Sequence, residues 1–134
     1  MSIRIGINGF GRMGRLALRV AWDWPDFEIV HINEVKGGPE TAAHLLEFDS
    51  VHGRWQRDIQ VVDGSLVIDG RAAGFSAEKA PGDVPWGERG VDIVIESTGV
   101  FRDAIGGGGK PGANVHIKDG GAKKVIISAP AKNE

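Results

Sequence analysis

The 134-residue chain contains no cysteine. It therefore forms no disulfide, offers no thiolate ligand to a metal and has no cysteine nucleophile. It also lacks any run of about 18 or more apolar residues, and no basic region followed by a long apolar segment precedes its first structured pattern. These features exclude a membrane-spanning helix and a secretory leader, so we expect a cytoplasmic protein.

The chain has little net charge of either sign. Its 16 basic and 18 acidic residues leave a formal charge of −2, and 41% of its residues are hydrophobic. Such a composition is typical of a soluble globular domain, and no basic field attracts nucleic acid or an acidic membrane. The four histidines are scattered without metal-ligand spacing, so we expect no metal site. A small molecule or another protein is the expected partner.

Glycine, in contrast, is abundant, with 21 residues. The segment Gly9-Phe10-Gly11-Arg12-Met13-Gly14 reads G-x-G-x-x-G. It follows a strand-like alternation of isoleucines over residues 3–7, and apolar residues then recur at helical spacing over residues 13–21. A second apolar, β-branched run covers Phe27 to Ile32. The pattern predicts a β-α-β unit with parallel strands, which is the context that a dinucleotide-binding loop needs.

Each glycine of this loop has its own expected role. Gly9 allows the tight turn, Gly11 lets the backbone approach a pyrophosphate without a Cβ in the way, and Gly14 permits close helix-to-strand packing. The N–H groups at the helix start then hold the phosphates. The loop therefore predicts a dinucleotide site.

Glu34 lies twenty residues beyond Gly14, at the end of the second predicted strand. A carboxylate at this position accepts hydrogen bonds from the ribose hydroxyls of the adenosine half and repels a 2′-phosphate. The sequence therefore predicts NAD rather than NADP.

The rest of the chain predicts an α/β fold of the Rossmann type, a doubly wound, mostly parallel sheet with a small antiparallel meander. Asp63-Gly64 and Asp69-Gly70 are hairpin signals within the meander. The glycine-rich run from Gly106 to Gly109 has poor helix propensity. The remaining predicted elements are a helix from Thr41 to Phe48, meander strands Ile59 to Val62, Leu66 to Ile68 and Arg71 to Phe75, and buried strands Val91 to Glu96 and Lys124 to Ser128.

Five segments, in order and spread over almost the whole chain except residues 103–121, resemble the N-terminal NAD-binding domain of the glyceraldehyde-3-phosphate dehydrogenase family. The related erythrose-4-phosphate dehydrogenases share much of this half, and a nucleotide-binding module without catalysis is a further alternative. The segments are Ile7 to Arg15 (INGFGRMGR), Phe48 to Arg54 (FDSVHGR), Val84 to Gly87 (VPWG), Glu96 to Phe101 (ESTGVF) and Ala122 to Pro130 (AKKVIISAP).

The resemblance implies a set of cofactor contacts. Backbone at Arg12 and Met13 meets the pyrophosphate, and Glu34, where the family usually has aspartate, holds the adenosine ribose. Lys79 lies where the family places a basic residue near the adenine. Thr98, Gly99 and Ser128 match positions lining the nicotinamide side.

The resemblance also implies what residues 1–134 do and do not contain. They correspond to one NAD-binding domain of a homo-oligomeric glycolytic enzyme that oxidises glyceraldehyde 3-phosphate with hydride transfer to NAD. The family's catalytic cysteine and histidine correspond to positions beyond Glu134, so we expect the chain alone to be inactive. A Ser-Cys-Thr-Thr-Asn-like segment downstream would favour the dehydrogenase over the module. We also expect the strand Lys124 to Ser128 to be an unpaired, self-associating sheet edge, because a sixth strand is not present.

Overall fold

The computed structural model describes residues 3–49, 53–78, 84–98, 106–107, 110–111, 116 and 121–127. Neither helix among them is long and apolar enough to cross a membrane. In chain order the elements are β1 (Ile3–Asn8), α1 (Arg12–Ala21), β2 (Phe27–Asn33), α2 (Pro39–Glu47), β3 (Phe48–Asp49), β4 (Gly53–Arg54), β5 (Ile59–Val62), β6 (Ser65–Ile68), β7 (Arg71–Ser76), β8 (Ile93–Glu96), β9 (Gly106–Gly107), β10 (Lys110–Pro111) and β11 (Lys124–Ile127).

Seven of these strands form one sheet in the order β11-β8-β1-β2-β7-β6-β5. The strands from β11 to β7 pair in parallel, whereas β7, β6 and β5 pair antiparallel. The predicted Rossmann-type sheet with a small antiparallel meander is confirmed. Because β1 lies between β2 and β8, the direction of winding reverses at β1. The crevice beyond the carboxyl end of β1 is where such sheets bind ligands.

Helix α1 is confirmed, and a glycine determines which of its faces is buried. Leu18 is fully buried together with Gly14, one turn away, whereas Met13 and Val20 are 56% and 68% exposed. The reason is the glycine. Gly14 lets α1 approach β1 closely, so the Gly14–Leu18 side of the helix faces the core.

The meander depends on two Asp-Gly turns. Asp63 and Asp69 both have a φ of 51°, and the glycines that follow them have φ values of 79° and 83°. Positive φ at both central residues is the geometry that two-residue hairpin loops favour. These turns place β7 against β6, and β7 then also pairs in parallel with β2. The predicted hairpins are therefore confirmed, and the last meander strand is also a member of the parallel sheet.

The remaining predicted elements have slightly different bounds. α2 begins at Pro39 with Gly38 as its N-cap and ends at Glu47, and β8 begins at Ile93 rather than at Val91. Within the glycine-rich segment, the described residues form the short antiparallel pair β9 and β10. Ser128, the expected last residue of β11, lies outside the described residues.

Apolar residues cover both faces of the parallel sheet. Ile29 belongs to a cluster with residues of both helices and the meander, while its neighbour Val30 belongs to a second cluster built around Trp86. Successive residues of a strand point to opposite faces, so the clusters lie on the two sides of the sheet. Trp86 packs on Gly6 so closely that a Cβ there would overlap the indole ring. Only glycine fits at this position of β1.

His31 is a buried histidine that lies on the Trp86 side of the sheet together with its neighbour Val30, because the pairing of β1 with β2 shifts register between Ile5 and Gly6. Its ring lies 5.5 Å from the Trp86 ring, its Nε2 is 2.9 Å from Ser76 Oγ, and among the described residues its Nδ1 has no hydrogen-bond partner. Burial is the main cause that lowers the pKa of His31, the nearby Arg89 guanidinium acts in the same direction, and together they bring it to about 4. The folded state therefore holds His31 neutral.

This pKa predicts a loss of stability in mild acid. Between about pH 6.5 and pH 4 the unfolded chain binds a proton at His31 that the folded chain does not, so the free energy of unfolding falls by at most about 3 kcal/mol. Urea titrations across this range measure the loss. His31→Gln removes the titrating group and should flatten the dependence. Equal pH dependence in the two proteins would contradict the prediction.

Candidate functional site

The loop between β1 and α1 is built around glycines that leave no room for a side chain. Gly9 has a φ of 91°, and a Cβ added there would lie 2.7 Å from both the backbone nitrogen and Cγ2 of Thr98. A Cβ on Gly14 would overlap the carbonyl oxygen of Gly9. The expected roles of these two glycines, a tight turn and a close helix approach, match this geometry.

Gly11 is different, because a Cβ added to it would meet no atom of the described residues within 4 Å. Its φ of −78° is open to any residue, and it is the N-cap of α1 without a side-chain capping bond. Packing and backbone strain therefore do not require glycine here. The surface beside Gly11 is a groove of about 310 Å³ lined by Gly9, Gly11, Glu34, Val35, Lys36, Ser97 and Thr98.

Glu34 follows β2 and reaches across to the glycine loop. Its Oε1 accepts a 2.7 Å hydrogen bond from the Phe10 N–H, and its Oε2 accepts a 3.1 Å bond from the Lys36 N–H. Each carboxylate oxygen has a second lone pair, so both still have acceptor capacity for sugar hydroxyls. The carboxylate thus holds the loop and borders the groove at once.

A second cavity of about 200 Å³ lies on the α2 side of the same carboxylate. It shares Gly11, Glu34 and Lys36 with the first groove, and its other lining residues are Phe10, Arg15 and three residues of α2, Thr41, Ala42 and Leu45. Arg15 and Lys36 give this cavity a cationic lining beside the Glu34 carboxylate. Arg15 also donates a 3.1 Å hydrogen bond to the Phe10 carbonyl, which ties the first turn of α1 to the loop.

Buried polar side chains form a line at the carboxyl ends of the parallel strands, here called the polar floor. Two of them, Asn8 and Asn33, line a small cavity that shares Gly9, Glu34, Val35 and Thr98 with the groove. Asn33 Nδ2 donates to Asn8 Oδ1 at 2.8 Å, and the Ser76 hydroxyl donates to Asn33 Oδ1 at 2.6 Å. Asn33 also makes two hydrogen bonds with the backbone of Glu78. Its Oδ1 accepts from the Glu78 N–H and its Nδ2 donates to the Glu78 carbonyl, each at 2.9 Å. Glu96 continues the line on the other side of Asn8.

The site residues chosen from the sequence omit Asn8, Asn33 and Glu96. A signal for them is present, because each is a polar residue that ends a strand directly after an isoleucine. The carboxyl ends of neighbouring parallel strands meet at one edge of a sheet, where such folds bind their ligands.

The structure brings together most, but not all, of the predicted cofactor contacts. Gly9, Gly11, Glu34 and Thr98 line one groove. Arg12 and Met13 lie exposed in the first turn of α1, beside Gly11. Of the five remaining predicted contacts, Phe10 lines a second cavity and Gly14 is buried against β1, while Lys79, Gly99 and Ser128 lie outside the described residues.

The described groove fits a dinucleotide. An open glycine at a helix N-terminus leaves backbone N–H groups accessible to phosphates, which the helix dipole also attracts. A carboxylate at the end of the next strand borders the same groove and suits sugar hydroxyls. The two ends of the groove thus match the two kinds of polar group in a dinucleotide.

Comparison with known proteins identifies the relatives of this chain. The family model described as "Glyceraldehyde 3-phosphate dehydrogenase, NAD binding domain" matches residues 3–104. "Glyceraldehyde-3-phosphate dehydrogenase 3" of Nostoc sp. is 52% identical over 134 residues, covering 100% of this chain and 38% of the relative. The enzyme of Debaryomyces hansenii is 50% identical over 133 residues, which are 99% of this chain and 38% of that protein.

A third relative gives the same picture. "Glyceraldehyde-3-phosphate dehydrogenase" of Geobacillus stearothermophilus is 48% identical over 134 residues, with 100% of this chain and 38% of the relative aligned. The chain thus spans 38% of the length of each of these three curated relatives. The family match, the Rossmann-type sheet and the glycine loop agree, and the chain belongs to the NAD-binding domain family of the glyceraldehyde-3-phosphate dehydrogenases.

Proposed function

We propose that this domain binds NAD in the groove between the glycine loop and Glu34. The observation that supports the proposal best is the open space at Gly11, which nothing in the protein itself explains. In this assignment the N–H groups at the start of α1, including those of Arg12 and Met13, hold the pyrophosphate. Glu34 accepts the hydroxyls of the adenosine ribose, and Thr98 borders the nicotinamide half.

We further propose that the complete protein oxidises glyceraldehyde 3-phosphate. Three relatives bear that enzyme's name, and the groove supplies the cofactor half of such a reaction. NAD, when bound, accepts the hydride. The residues described here bind and orient the cofactor, while the thiolate nucleophile that the family resemblance implies has no counterpart in this cysteine-free chain.

Gly11→Val tests the groove directly. Valine methyl groups would occupy the expected path of the pyrophosphate, so NAD affinity should fall by at least about a hundredfold in a calorimetric titration. The matched control is Gly38→Val, because Gly38 is likewise an extended N-cap without a side-chain bond, at the start of α2. Both changes should cost about 1 kcal/mol or less of stability. Equal NAD affinity in the two variants would place the cofactor elsewhere.

Glu34→Gln tests the choice between NAD and NADP. The change keeps the shape of the side chain and removes the charge that repels a 2′-phosphate, a repulsion of about 1 kcal/mol or more at about 5 Å. The ratio of the NADP dissociation constant to the NAD dissociation constant should therefore fall about tenfold. Glu34→Ala should lower this ratio by a similar factor. An unchanged ratio in parallel titrations would remove Glu34 from cofactor selection.

The 134-residue chain by itself should form no NADH from glyceraldehyde 3-phosphate, NAD and phosphate. Without a thiolate no covalent thiohemiacetal forms, so no hydride donor is generated. Absorbance of NADH measures the reaction, and NAD binding by the same preparation shows that the protein is folded. Turnover that persists at constant specific activity through further purification would refute this expectation.

We also propose that copies of this chain associate through β11. Among the described strands β11 is the last at its end of the sheet, and Ile126 on it is 54% exposed. Open backbone groups beside apolar side chains favour pairing with a second strand.

Ile126→Lys should therefore lower the apparent mass in light scattering across a concentration series. Val62→Lys is the control, since Val62 is 47% exposed on β5 at the opposite edge; a monomeric parent chain would overturn the proposal.

A further inference from the structure

The Glu96 carboxylate is buried directly beneath the groove, at the end of β8. It is 2% exposed and accepts four hydrogen bonds. Asn8 Nδ2 and His116 Nε2 lie 2.8 Å and 2.7 Å from Oε1, while the Thr98 N–H and hydroxyl lie 3.0 Å and 2.6 Å from Oε2. A carboxylate has about four acceptor positions, so the donor set is complete.

Trp86 fixes the direction of the hydrogen bond between His116 and Glu96. Its indole nitrogen only donates, and it lies 2.9 Å from Nδ1 of His116. Nδ1 is therefore the acceptor, which places the ring hydrogen on Nε2, facing Glu96. Both rings are fully buried. The Glu96 carboxylate thus accepts a hydrogen bond from His116, whose neutral ring carries its hydrogen on Nε2.

The hydrogen bonds of Glu96 also determine how Thr98 meets a ligand. The backbone N–H and the hydroxyl hydrogen of Thr98 both donate to the same carboxylate oxygen. Thr98 lines the groove beside Gly9 and Ser97. With its hydrogen directed at Glu96, the hydroxyl can meet a ligand in the groove only as a hydrogen-bond acceptor.

We propose that Glu96, held by Asn8 and His116, is a positioning residue for the cofactor. Glu96 accepts the hydroxyl hydrogen of Thr98, so the Thr98 oxygen accepts a hydrogen bond from bound NAD. The donor in NAD is either a ribose hydroxyl or the carboxamide N–H of the nicotinamide. This assignment rests on the proposed NAD groove. Glu96 itself does not line the cavity and acts through Thr98.

A double-mutant cycle separates positioning from a merely structural role. Thr98→Val keeps the shape and removes the acceptor, so NAD should bind about tenfold more weakly. In Glu96→Gln the new amide donates to the Thr98 hydroxyl, whose hydrogen then turns toward the groove, and a similar loss is expected. Both changes remove the same hydrogen bond to NAD. The double variant should therefore also bind NAD about tenfold, not a hundredfold, more weakly than the parent. Thr98→Ser keeps both hydrogens and should bind like the parent.

ADP-ribose, which lacks the nicotinamide, identifies the donor. Loss of NAD affinity alone assigns the carboxamide, and equal loss for both ligands assigns a sugar hydroxyl; either result supports the proposal. Unchanged NAD affinity in Thr98→Val overturns the proposal. A loss of NAD affinity in the double variant that equals the product of the two single losses overturns it as well. If Glu96→Gln does not fold, the comparison of Thr98→Val with Thr98→Ser decides alone. A parent chain that binds neither ligand would instead refute the NAD groove itself.

Discussion

The site depends on buried polar groups at the ends of adjacent parallel strands that must satisfy one another. Asn8, Asn33 and Glu96 are each 2–3% exposed and end three neighbouring strands. None is accessible enough for water to replace a lost partner, and leaving one buried polar group unsatisfied costs about 1–3 kcal/mol. The bonds therefore hold the strand ends, and the loops that follow them, at fixed relative positions. The groove is the space between those loops.

Glycine makes this arrangement possible in two distinct ways. At Gly6 and Gly14 a side chain would overlap an indole ring or a backbone carbonyl, so the protein's own packing requires glycine. At Gly11 the described residues leave the space for a side chain open, and the proposed NAD pyrophosphate accounts for a glycine there. The contrast separates the glycines that packing requires from the one that faces the proposed ligand. The G-x-G-x-x-G pattern alone does not make that distinction.

Local patterns in the sequence predicted the β-α-β unit, the two Asp-Gly hairpins and the groove residues Gly11 and Glu34, because each depends on neighbouring residues or fixed spacing. The polar floor was missed. The bond between Asn8 and Glu96 joins residues 88 positions apart, and His116 reaches the same carboxylate from a different segment. Spacing carries no information on such pairings. The buried face of α1 likewise depends on tertiary packing, since it is set by how closely Gly14 approaches β1.

Glu34 links coenzyme choice to the order of the loop itself. Its two oxygens bind the N–H groups of Phe10 and Lys36, so the carboxylate that borders the ribose pocket also closes the turn around that pocket. The loop is thereby preorganised, and a ligand that enters has less backbone entropy to remove. In the proposed NAD site, a substitution that favours NADP by removing this carboxylate would also loosen the glycine loop. Coenzyme preference and overall affinity are then coupled through one side chain.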